Sequence, residues 1–276
     1  MPELPEVETI RRQLAPRLEG RRIGRLEVLD PRWCAPVAAA AISGAVEGRV
    51  IERVWRRGKY LGCALRGEVF LLMHLRMTGT LLYDPREPPA HVRARFALEG
   101  GHELLFVDPR RFGTGMVLEG REALEHHLAP RLGIEPLEAE FTTEHLAALV
   151  RGRRAPVKAF LLDQRRIAGI GNIYADEALF RARIHPLRAT GSLKGRQLDA
   201  LREAVIASLQ AGIDAQGATI DDFRHVDGAR GTFQDRFLVH RRAGEPCPAC
   251  GRPISKLVAA GRGTYACERC QRRPRL

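Results

Sequence analysis

Four cysteines near the end of the chain constrain its fold most strongly. They form two pairs, Cys247 with Cys250 and Cys267 with Cys270, and sixteen residues separate the pairs. A pair of cysteines two residues apart predicts a tight turn that offers two thiolates to one tetrahedral metal ion. Four sulfur ligands leave no open coordination position, so the sequence predicts one structural zinc ion and not a catalytic one.

The segment between the two cysteine pairs predicts a β-hairpin. Residues 256–258 and 265–266 have the composition of strands, and residues 260–263 join them. Arg262 is therefore expected at the hairpin tip, where an arginine can enter a groove or bind phosphate.

The net charge points to a polyanionic partner. The formal charge is +12 over 276 residues, and ten basic residues against two acidic ones place +8 of it in the last 41 residues. A surplus of this size favours nucleic acid as the partner. A generally basic, arginine-rich composition is the alternative explanation.

No targeting or membrane segment is evident. The acidic N-terminus lacks the apolar stretch of a signal peptide, and no apolar run approaches the ~20 residues that a membrane span needs. We therefore expect a cytoplasmic protein whose six cysteines bind metal or stay free instead of forming disulfides. Cys34 and Cys63 stand apart from the pairs and are expected to be buried apolar residues.

The first 20 residues predict one helix. Pro5 suits a first helical turn, and apolar residues from Val7 to Leu18 recur at helical spacing on one face. Acidic residues at the start suit the positive end of the helix dipole, and Gly20 can end the helix.

Short strands follow this helix. They are predicted over residues 26–29, 50–55, 60–65, 69–75, 79–83, 92–98, 104–107 and 116–118. In the 92–98 strand, Arg93 and Arg95 alternate with apolar residues and are expected to face solvent. Many short strands with Gly and Pro turns favour a β-sandwich or a flattened barrel.

The pattern becomes helical after a linker that contains Gly, Pro and acidic residues. Helices are predicted from residue 142 or 143 to 151, from 156 to 164, from 172 to before 186, and from a cap at Ser192 to 210. The polar stretch 217–231 is expected to be a mobile loop. The expected domains are 1–130, 141–230 and 231–276, with 131–140 as the linker.

Pro2 is a candidate nucleophile if Met1 is removed. A terminal α-amine titrates near pKa ~8, so much of it is neutral at pH 7, and a secondary amine condenses with a carbonyl carbon directly to an iminium ion. Glu3 beside it can carry a proton. While Met1 is attached, the Pro2 nitrogen is an amide and cannot act. The alternative is that the acidic residues only cap the helix.

Three further segments place functional side chains on turns. Residues 56–60 join two strands and can project Lys59 from a rigid support. Residues 108–113 put arginines and Phe112 on one loop, which can wedge into stacked bases. Residues 169–174 enter a helix whose N-terminus can meet phosphate. The ordinary alternatives are a solvated turn, a packed phenylalanine and a plain helix start.

Together these segments resemble bacterial formamidopyrimidine-DNA glycosylase. In chain order they are Pro2-Glu-Leu-Pro-Glu-Val-Glu, Arg57-Gly-Lys-Tyr-Leu, His74-Leu-Arg-Met-Thr-Gly, Asp108-Pro-Arg-Arg-Phe-Gly, Gly169-Ile-Gly-Asn-Ile-Tyr and the four-cysteine tail. The resemblance covers essentially the whole chain. It implies an α+β fold with an N-terminal β-sandwich and one long helix, a helix–two-turn–helix domain and a C-terminal β-hairpin zinc finger.

The resemblance implies a bifunctional DNA glycosylase and AP lyase. Such an enzyme flips oxidised purines (8-oxoguanine, formamidopyrimidines) out of double-stranded DNA, excises them, and cuts the strand at the abasic site by β,δ-elimination, without a redox cofactor. We expect a monomer associated with the nucleoid. By the same likeness Pro2 is the nucleophile at the sugar C1′, Glu3 the general acid and Glu6 a supporting residue. Lys59 resembles the proton donor or phosphate ligand in β-elimination, and Arg262 the finger arginine with a part in δ-elimination.

The resemblance also implies DNA-binding residues. Met77, Arg110 and Phe112 match side chains that fill the space left by the flipped nucleotide. The other matches to positions that hold DNA are His74, His91, Arg154, Lys158 and Asn172. The segment after Gly217 departs from the family's Gly-Gly-Thr-Thr pattern at Ala218 and Ile220, which leaves the contacts to the lesion open.

Two alternatives remain at this point. The endonuclease VIII type acts on oxidised pyrimidines with the same architecture, but its start usually reads Pro-Glu-Gly-Pro. A noncatalytic zinc-finger protein that binds damaged DNA would not need Pro2, Glu3 and Lys59 together.

Overall fold

The computed structural model describes residues 1–274. The chain divides into two compact units. The first unit is Met1–Ala129 with Ala215–Gln234, and the second is Pro130–Asp214 with the segment from Asp235 onward. Among the helices of the described residues, none is long and apolar enough to cross a membrane.

Helix α1 (Leu4–Leu18) begins the first unit where the sequence predicts it. Pro5 lies in its first turn, where its missing N–H costs no helical hydrogen bond. The apolar face from Val7 to Leu18 is fully buried. Gly20 follows the helix with φ +84°, a left-handed conformation that favours glycine.

Two antiparallel four-stranded sheets make up most of the first unit. Their strands are β1 (Ile23–Val28), β2 (Ile51–Arg57), β3 (Tyr60–Leu65), β4 (Val69–His74), β5 (Thr80–Tyr83), β6 (Val92–Leu98), β7 (His102–Val107) and β8 (Thr114–Glu119). The sheet orders are β1-β6-β7-β5 and β2-β3-β4-β8. All eight predicted strands are therefore confirmed. The sequence reading missed two short helices, α2 (Ala39–Val46) and α3 (Arg121–Leu128).

The core of the first unit joins both sheets and α1. Trp33 is a buried member of this core, and its ring centroid lies 6.1 Å from that of Phe96 and 5.6 Å from that of Phe106. Two residues of the 217–231 stretch, Phe223 and Val226, are buried in the same cluster. That stretch contains no helix or strand, but these two side chains anchor it to the sandwich.

Arg93 is buried, and the expectation that it faces solvent is wrong. Its Nε donates a 2.8 Å hydrogen bond to the carbonyl oxygen of Asp108, and its Nη1 lies 3.8 Å from the Asp30 carboxylate. Arg95 is exposed as expected. Simple strand alternation fails here because the guanidinium has internal partners that replace water.

The described residues of the second unit form four α-helices and a β-hairpin. The elements are α4 (Thr143–Val150), α5 (Val157–Leu162), α6 (Asn172–Arg181), α7 (Arg196–Asp214), β9 (Ser255–Ala259) and β10 (Arg262–Ala266). Thr142 caps α4 by accepting a 3.1 Å bond from the His145 amide. The predicted cap at Ser192 is wrong, because residues 190–192 form a separate 3₁₀ turn before α7 begins.

Buried charges on α6 hold this unit together. Asp176 accepts a 2.7 Å bond from Lys158 Nζ and lies 2.8 Å from His240 Nδ1. Glu177 accepts bonds of 2.9–3.1 Å from the amides of residues 238–240. Burial raises the pKa of Glu177, and those amides only partly offset the effect. Helix α6 is thus the attachment point for the chain that leads into the cysteine-rich segment.

We predict that Asp176→Ala lowers the free energy of unfolding by about 3–5 kcal/mol, because it leaves the fully buried Lys158 ammonium without its counterion. Glu245→Ala breaks an ion pair whose carboxylate is 54% exposed, and it should cost less than about 1 kcal/mol. Urea unfolding of both variants measures the difference. Equal losses would contradict a structural role for the buried pair.

Candidate functional site

The start of α1 carries three buried residues. Pro2 is buried, and Glu3 and Glu6 are 2% and 1% exposed. The Glu3 amide donates to Glu6 Oε2 at 2.8 Å, while Glu6 Oε1 accepts from the Ala218 amide at 2.8 Å. One carboxylate therefore fixes both the N-terminal segment and the beginning of the 217–231 stretch.

The β2–β3 hairpin presents Lys59. Gly58 turns the chain with φ +56°, and Lys59, next in sequence, is only 5% exposed. Arg56 braces the turn, because its Nη1 donates to the Gly58 carbonyl at 3.0 Å while its Nε lies 3.3 Å from Glu8 on α1. Burial alone would raise the pKa of Glu8, but hydrogen bonds from Arg11 and Arg12 lower it. Glu8 therefore stays ionised and keeps the turn attached to the helix.

His74 ends strand β4 in its neutral form. Burial, aided by the charges of Arg76 and Lys59, lowers the pKa of His74 to about 3. Its Nδ1 accepts a 3.0 Å hydrogen bond from the Arg76 amide. In a neutral imidazole the proton must then reside on Nε2, which is a hydrogen-bond donor. Such a donor can bind a phosphate oxygen without carrying charge.

Two loops carry the side chains expected to fill a vacated base position. Met77 lies half-buried between β4 and β5, while Arg110 and Phe112 lie exposed between β7 and β8. Phe112 is 50% exposed, and the Arg110 guanidinium lies 5.0 Å from its ring centroid. An exposed cation–aromatic pair of this kind is suited to contact stacked bases. His91 is also exposed, and its carbonyl accepts a 3.0 Å bond from the Asp108 amide.

The four paired cysteines converge in the second unit. Their sulfur atoms all lie within 4.8 Å of one another, and Cys250 and Cys267 are 3.4 Å apart. A tetrahedral zinc ion with Zn–S bonds of about 2.3 Å requires sulfur atoms about 3.8 Å apart, so this set fits zinc. Gln271 ties the site to the helices by donating to the Ile184 carbonyl and accepting from the Cys267 amide. The ion supplies structure only, because every ligand position is filled by sulfur.

The hairpin between the cysteine pairs has the predicted form. Strand β10 begins at Arg262, which pairs with Ala259 across the turn and is exposed. The expectation that Arg262 lies at the hairpin tip is thus confirmed. Cys34 and Cys63 are each 2% exposed, as expected for apolar residues.

The resemblance places Lys158 among the residues that hold DNA, but its side chain is fully buried and does not lie at the surface. Its Nζ binds Asp176 and donates to Thr264 Oγ1 at 2.8 Å. Asn172, at the start of α6, donates from Nδ2 to the Gly263 carbonyl at 3.0 Å. Both residues therefore hold the strand next to Arg262. Arg154 is exposed.

Sequence reasoning missed the acidic residues that organise these loops. Asp108 and Asp176 are both 0% exposed; the Asp108 carboxylate accepts four hydrogen bonds, and the Asp176 carboxylate contacts Lys158 and His240. Asp108 begins the 108–113 segment, and Asp176 lies two residues after the 169–174 segment. In the sequence, the only indication of their role is that one acidic residue ends an apolar strand and the other lies inside a largely apolar helix.

Three family models match the chain in order. They describe the formamidopyrimidine-DNA glycosylase N-terminal domain over residues 1–115, the formamidopyrimidine-DNA glycosylase H2TH domain over 132–224, and a zinc finger found in FPG and IleRS over 244–273. The fold and site thus define a zinc-finger DNA glycosylase.

Individual relatives agree with this class. Formamidopyrimidine-DNA glycosylase from Symbiobacterium thermophilum is 46% identical, over 98% of this chain and 89% of the relative. The enzyme from Chloroflexus aurantiacus is also 46% identical, over 98% of both chains. The crystal structure of MutM (FPG) from Thermus thermophilus matches with a TM-score of 0.88 and 44% identity, over 98% of both chains. Lactococcus lactis Fpg, solved with abasic-site DNA, matches with a TM-score of 0.91 and 33% identity, over 98% of this chain and all of that one.

The chain belongs to the formamidopyrimidine-DNA glycosylase family. It is accordingly a DNA glycosylase and AP lyase with a structural zinc finger. The family found is the one that the sequence motifs resemble, and not the endonuclease VIII type or a noncatalytic sensor.

We predict that Cys267→Ser lowers bound zinc well below one equivalent per chain, because a structural site that loses one of its four thiolates binds zinc much more weakly. Cys63→Ser is the matched control, since burial raises the pKa of the Cys63 thiol to about 12 and keeps it inert. Atomic emission of the purified variants measures the metal. Zinc retained in Cys267→Ser would contradict the assigned ligand set.

We predict that acid destabilises the protein through His74. The unfolded chain takes up a proton below pH about 6.5, whereas folded His74 does so only near its pKa of about 3. The unfolded state therefore binds more protons between these values, and stability falls as the pH drops through that window. Against His74→Gln, the wild-type unfolding free energy should decline by up to about 1.4 kcal/mol per pH unit more steeply. Parallel pH profiles of the two proteins would contradict a neutral, buried His74.

Proposed function

We propose that the chain excises oxidised purines from duplex DNA through a covalent intermediate on Pro2. The observation that carries this proposal is the buried start of α1, where Pro2 is followed by Glu3 and by the doubly hydrogen-bonded Glu6. A fixed N-terminus beside a carboxyl group suits nucleophilic attack with proton transfer.

The reaction begins once Met1 has been removed and Pro2 is a free secondary amine. Its nitrogen attacks the sugar C1′, and the glycosidic bond breaks with its electron pair leaving on the base, which takes up a proton. Glu3 donates a proton to the ring oxygen as the sugar opens, giving the iminium ion. Glu6 acts as a positioning residue, because its carboxylate holds the Glu3 amide.

Strand cutting follows from the same intermediate. The iminium acidifies the C2′ proton, and its loss expels the 3′ phosphate in β-elimination. Lys59, held nearly buried on its turn, serves as proton donor or phosphate ligand. Arg262 on the exposed hairpin tip binds phosphate and assists δ-elimination, which expels the 5′ phosphate. A guanidinium suits this role because it binds phosphate through two parallel hydrogen bonds.

The free energy required to flip a base out of the duplex must be offset by new contacts with the protein. Removing a base from the stack costs a few kcal/mol, and we assign the filling of the vacated space to Met77, Arg110 and Phe112. The exposure of Phe112 and its contact with Arg110 support this assignment. Side chains inserted between base steps are a common means of kinking a duplex.

Phosphate contacts supply most of the affinity. The +12 charge favours binding to duplex DNA with a steep salt dependence. We assign His74, through its Nε2 proton, together with His91, Arg154 and Asn172, to the backbone contacts. Lys158 acts indirectly, because its ammonium holds Thr264 close to Arg262.

We further propose that the functional segments run over 1–130, 141–230 and 231–276, with 131–140 as a linker. The three family matches, over 1–115, 132–224 and 244–273, support three segments in this order, although the second match begins inside the proposed linker. One difference bears on the second segment: residues 215–234 group with the first unit. The enzyme is expected to act as a monomer on nucleoid DNA in the cytoplasm.

We predict that borohydride traps a covalent adduct between the protein and a duplex containing 8-oxoguanine opposite cytosine, and that peptide mapping locates it at Pro2. The matched control carries a noncleavable extension ahead of Met1, which keeps the Pro2 nitrogen an amide. That control should bind the duplex and form no adduct. An adduct on a lysine, or none from a protein whose mass shows that Met1 is absent while binding persists, would refute the proposed nucleophile.

A further inference from the structure

The carboxylate of Asp108 is the shared anchor of the loop that carries Arg110 and Phe112. The residue is 0% exposed. Its Oδ1 accepts from the Arg110 amide at 3.1 Å and from the Thr78 hydroxyl, and its Oδ2 accepts from the amides of Phe112 and Gly113 at 2.8 and 2.7 Å. A carboxylate has about four lone-pair sites, so these four donors occupy it completely.

The loop depends on this anchor because its backbone is otherwise unfavourable. Arg111 has φ +61°, a left-handed conformation that costs energy for a residue with a side chain. Gly113 is packed so closely that a Cβ atom there would lie 2.5 Å from the Phe106 ring. The hydrogen bonds of Asp108 thus select a conformation in which Arg110 and Phe112 both face outward.

Thr78 connects this loop to the one that carries Met77. Its hydroxyl donates to Asp108 Oδ1 and lies 3.4 Å from the Arg110 amide, although Thr78 is separated from both residues by at least 30 positions. Thr78 is 6% exposed and follows Met77 directly. Its turn is closed by a 2.9 Å bond from the Gly79 amide to the Leu75 carbonyl.

Arg93 supports the anchor from behind. Its Nε donates to the Asp108 carbonyl, and its Nη1 faces Asp30. A hydrogen bond from Arg32, partly opposed by burial, lowers the pKa of Asp30 and keeps it ionised beside Arg93. The Asp108 main chain is thereby held to the sandwich independently of its side chain.

We propose that Asp108 and Thr78 are positioning residues that hold Met77, Arg110 and Phe112 as one preformed wedge. The proposal rests on the wedge role assigned above to those three side chains. Ordering a flexible loop when DNA binds costs free energy and weakens insertion. Two loops that are already fixed to one carboxylate avoid this cost. The pair therefore governs insertion into a duplex and not the chemistry at Pro2.

The test compares Thr78→Val with Thr78→Ser. Valine has the shape of threonine without the hydroxyl, whereas serine keeps the hydroxyl and loses a methyl group. Because a hydrogen bond to a charged group is lost, we expect Thr78→Val to reduce single-turnover excision of 8-oxoguanine from duplex DNA by about 10-fold or more. Thr78→Ser should stay within about 2-fold of wild type. Asp108→Asn, which turns an NH₂ group toward backbone donors, should fall further.

Two readouts separate positioning from general damage. Fluorescence of 2-aminopurine beside the lesion reports base unstacking and should lose amplitude in Thr78→Val. Borohydride trapping on a single-stranded abasic oligonucleotide needs no wedge and should remain at the wild-type level. Equal excision by Thr78→Val and wild type would overturn the proposal, and so would parallel losses on duplex and single strand.

Met77→Ala and Phe112→Ala show whether the underlying assignment holds. If neither changes duplex excision or the fluorescence amplitude, the wedge role itself fails. If both alanine variants lower duplex excision and the fluorescence amplitude while Thr78→Val matches wild type, the wedge role stands and the positioning proposal alone is refuted. Thermal unfolding of every variant shows that the compared proteins are folded, and the valine–serine pair decides the question if Asp108→Asn does not fold.

Discussion

Buried carboxylates that accept main-chain N–H bonds hold the functional loops of this protein. Glu6 fixes the N-terminus and Ala218, Asp108 fixes the loop of Phe112, and Glu177 fixes residues 238–240 ahead of the zinc finger. Loop backbone lacks the regular hydrogen bonds of a helix or a sheet, so its buried N–H groups need other acceptors. A carboxylate accepts several of them at one point, so a loop gains a single conformation without becoming a helix or a strand.

This use of buried acids complements the basic surface of a DNA-binding enzyme. Positive charge is needed at the protein surface, where lysine and arginine bind phosphate. Because these carboxylates are buried, they do not reduce the positive charge of that surface. The arrangement costs desolvation, as the raised pKa of Glu177 shows. Several hydrogen bonds per carboxylate offset part of that cost, which is the condition under which buried charge is tolerated.

The sequence predicted the regular elements and the metal site, but not the charge network. Strands such as β4 and β6 are evident from local apolar patterning, and the cysteine pairs from spacing alone. Lys158 and Arg93 look like surface cations in the sequence, and only tertiary partners far along the chain bury them. Such pairs have no period and no fixed spacing. The resemblance to a family could place Lys158 in the site, yet only the structure assigns its ammonium to Asp176 and Thr264.

In the first unit, the residues assigned to DNA binding differ from those assigned to the chemistry. His74 is neutral, so in the proposed mechanism it offers phosphate a directed donor without adding positive charge. Phe112 and Met77 add contact area without charge, and they lie on loops fixed before any DNA is bound. In the proposed mechanism, charge brings the duplex to the protein, whereas side chains on loops that are ordered in advance fill the space of the flipped base.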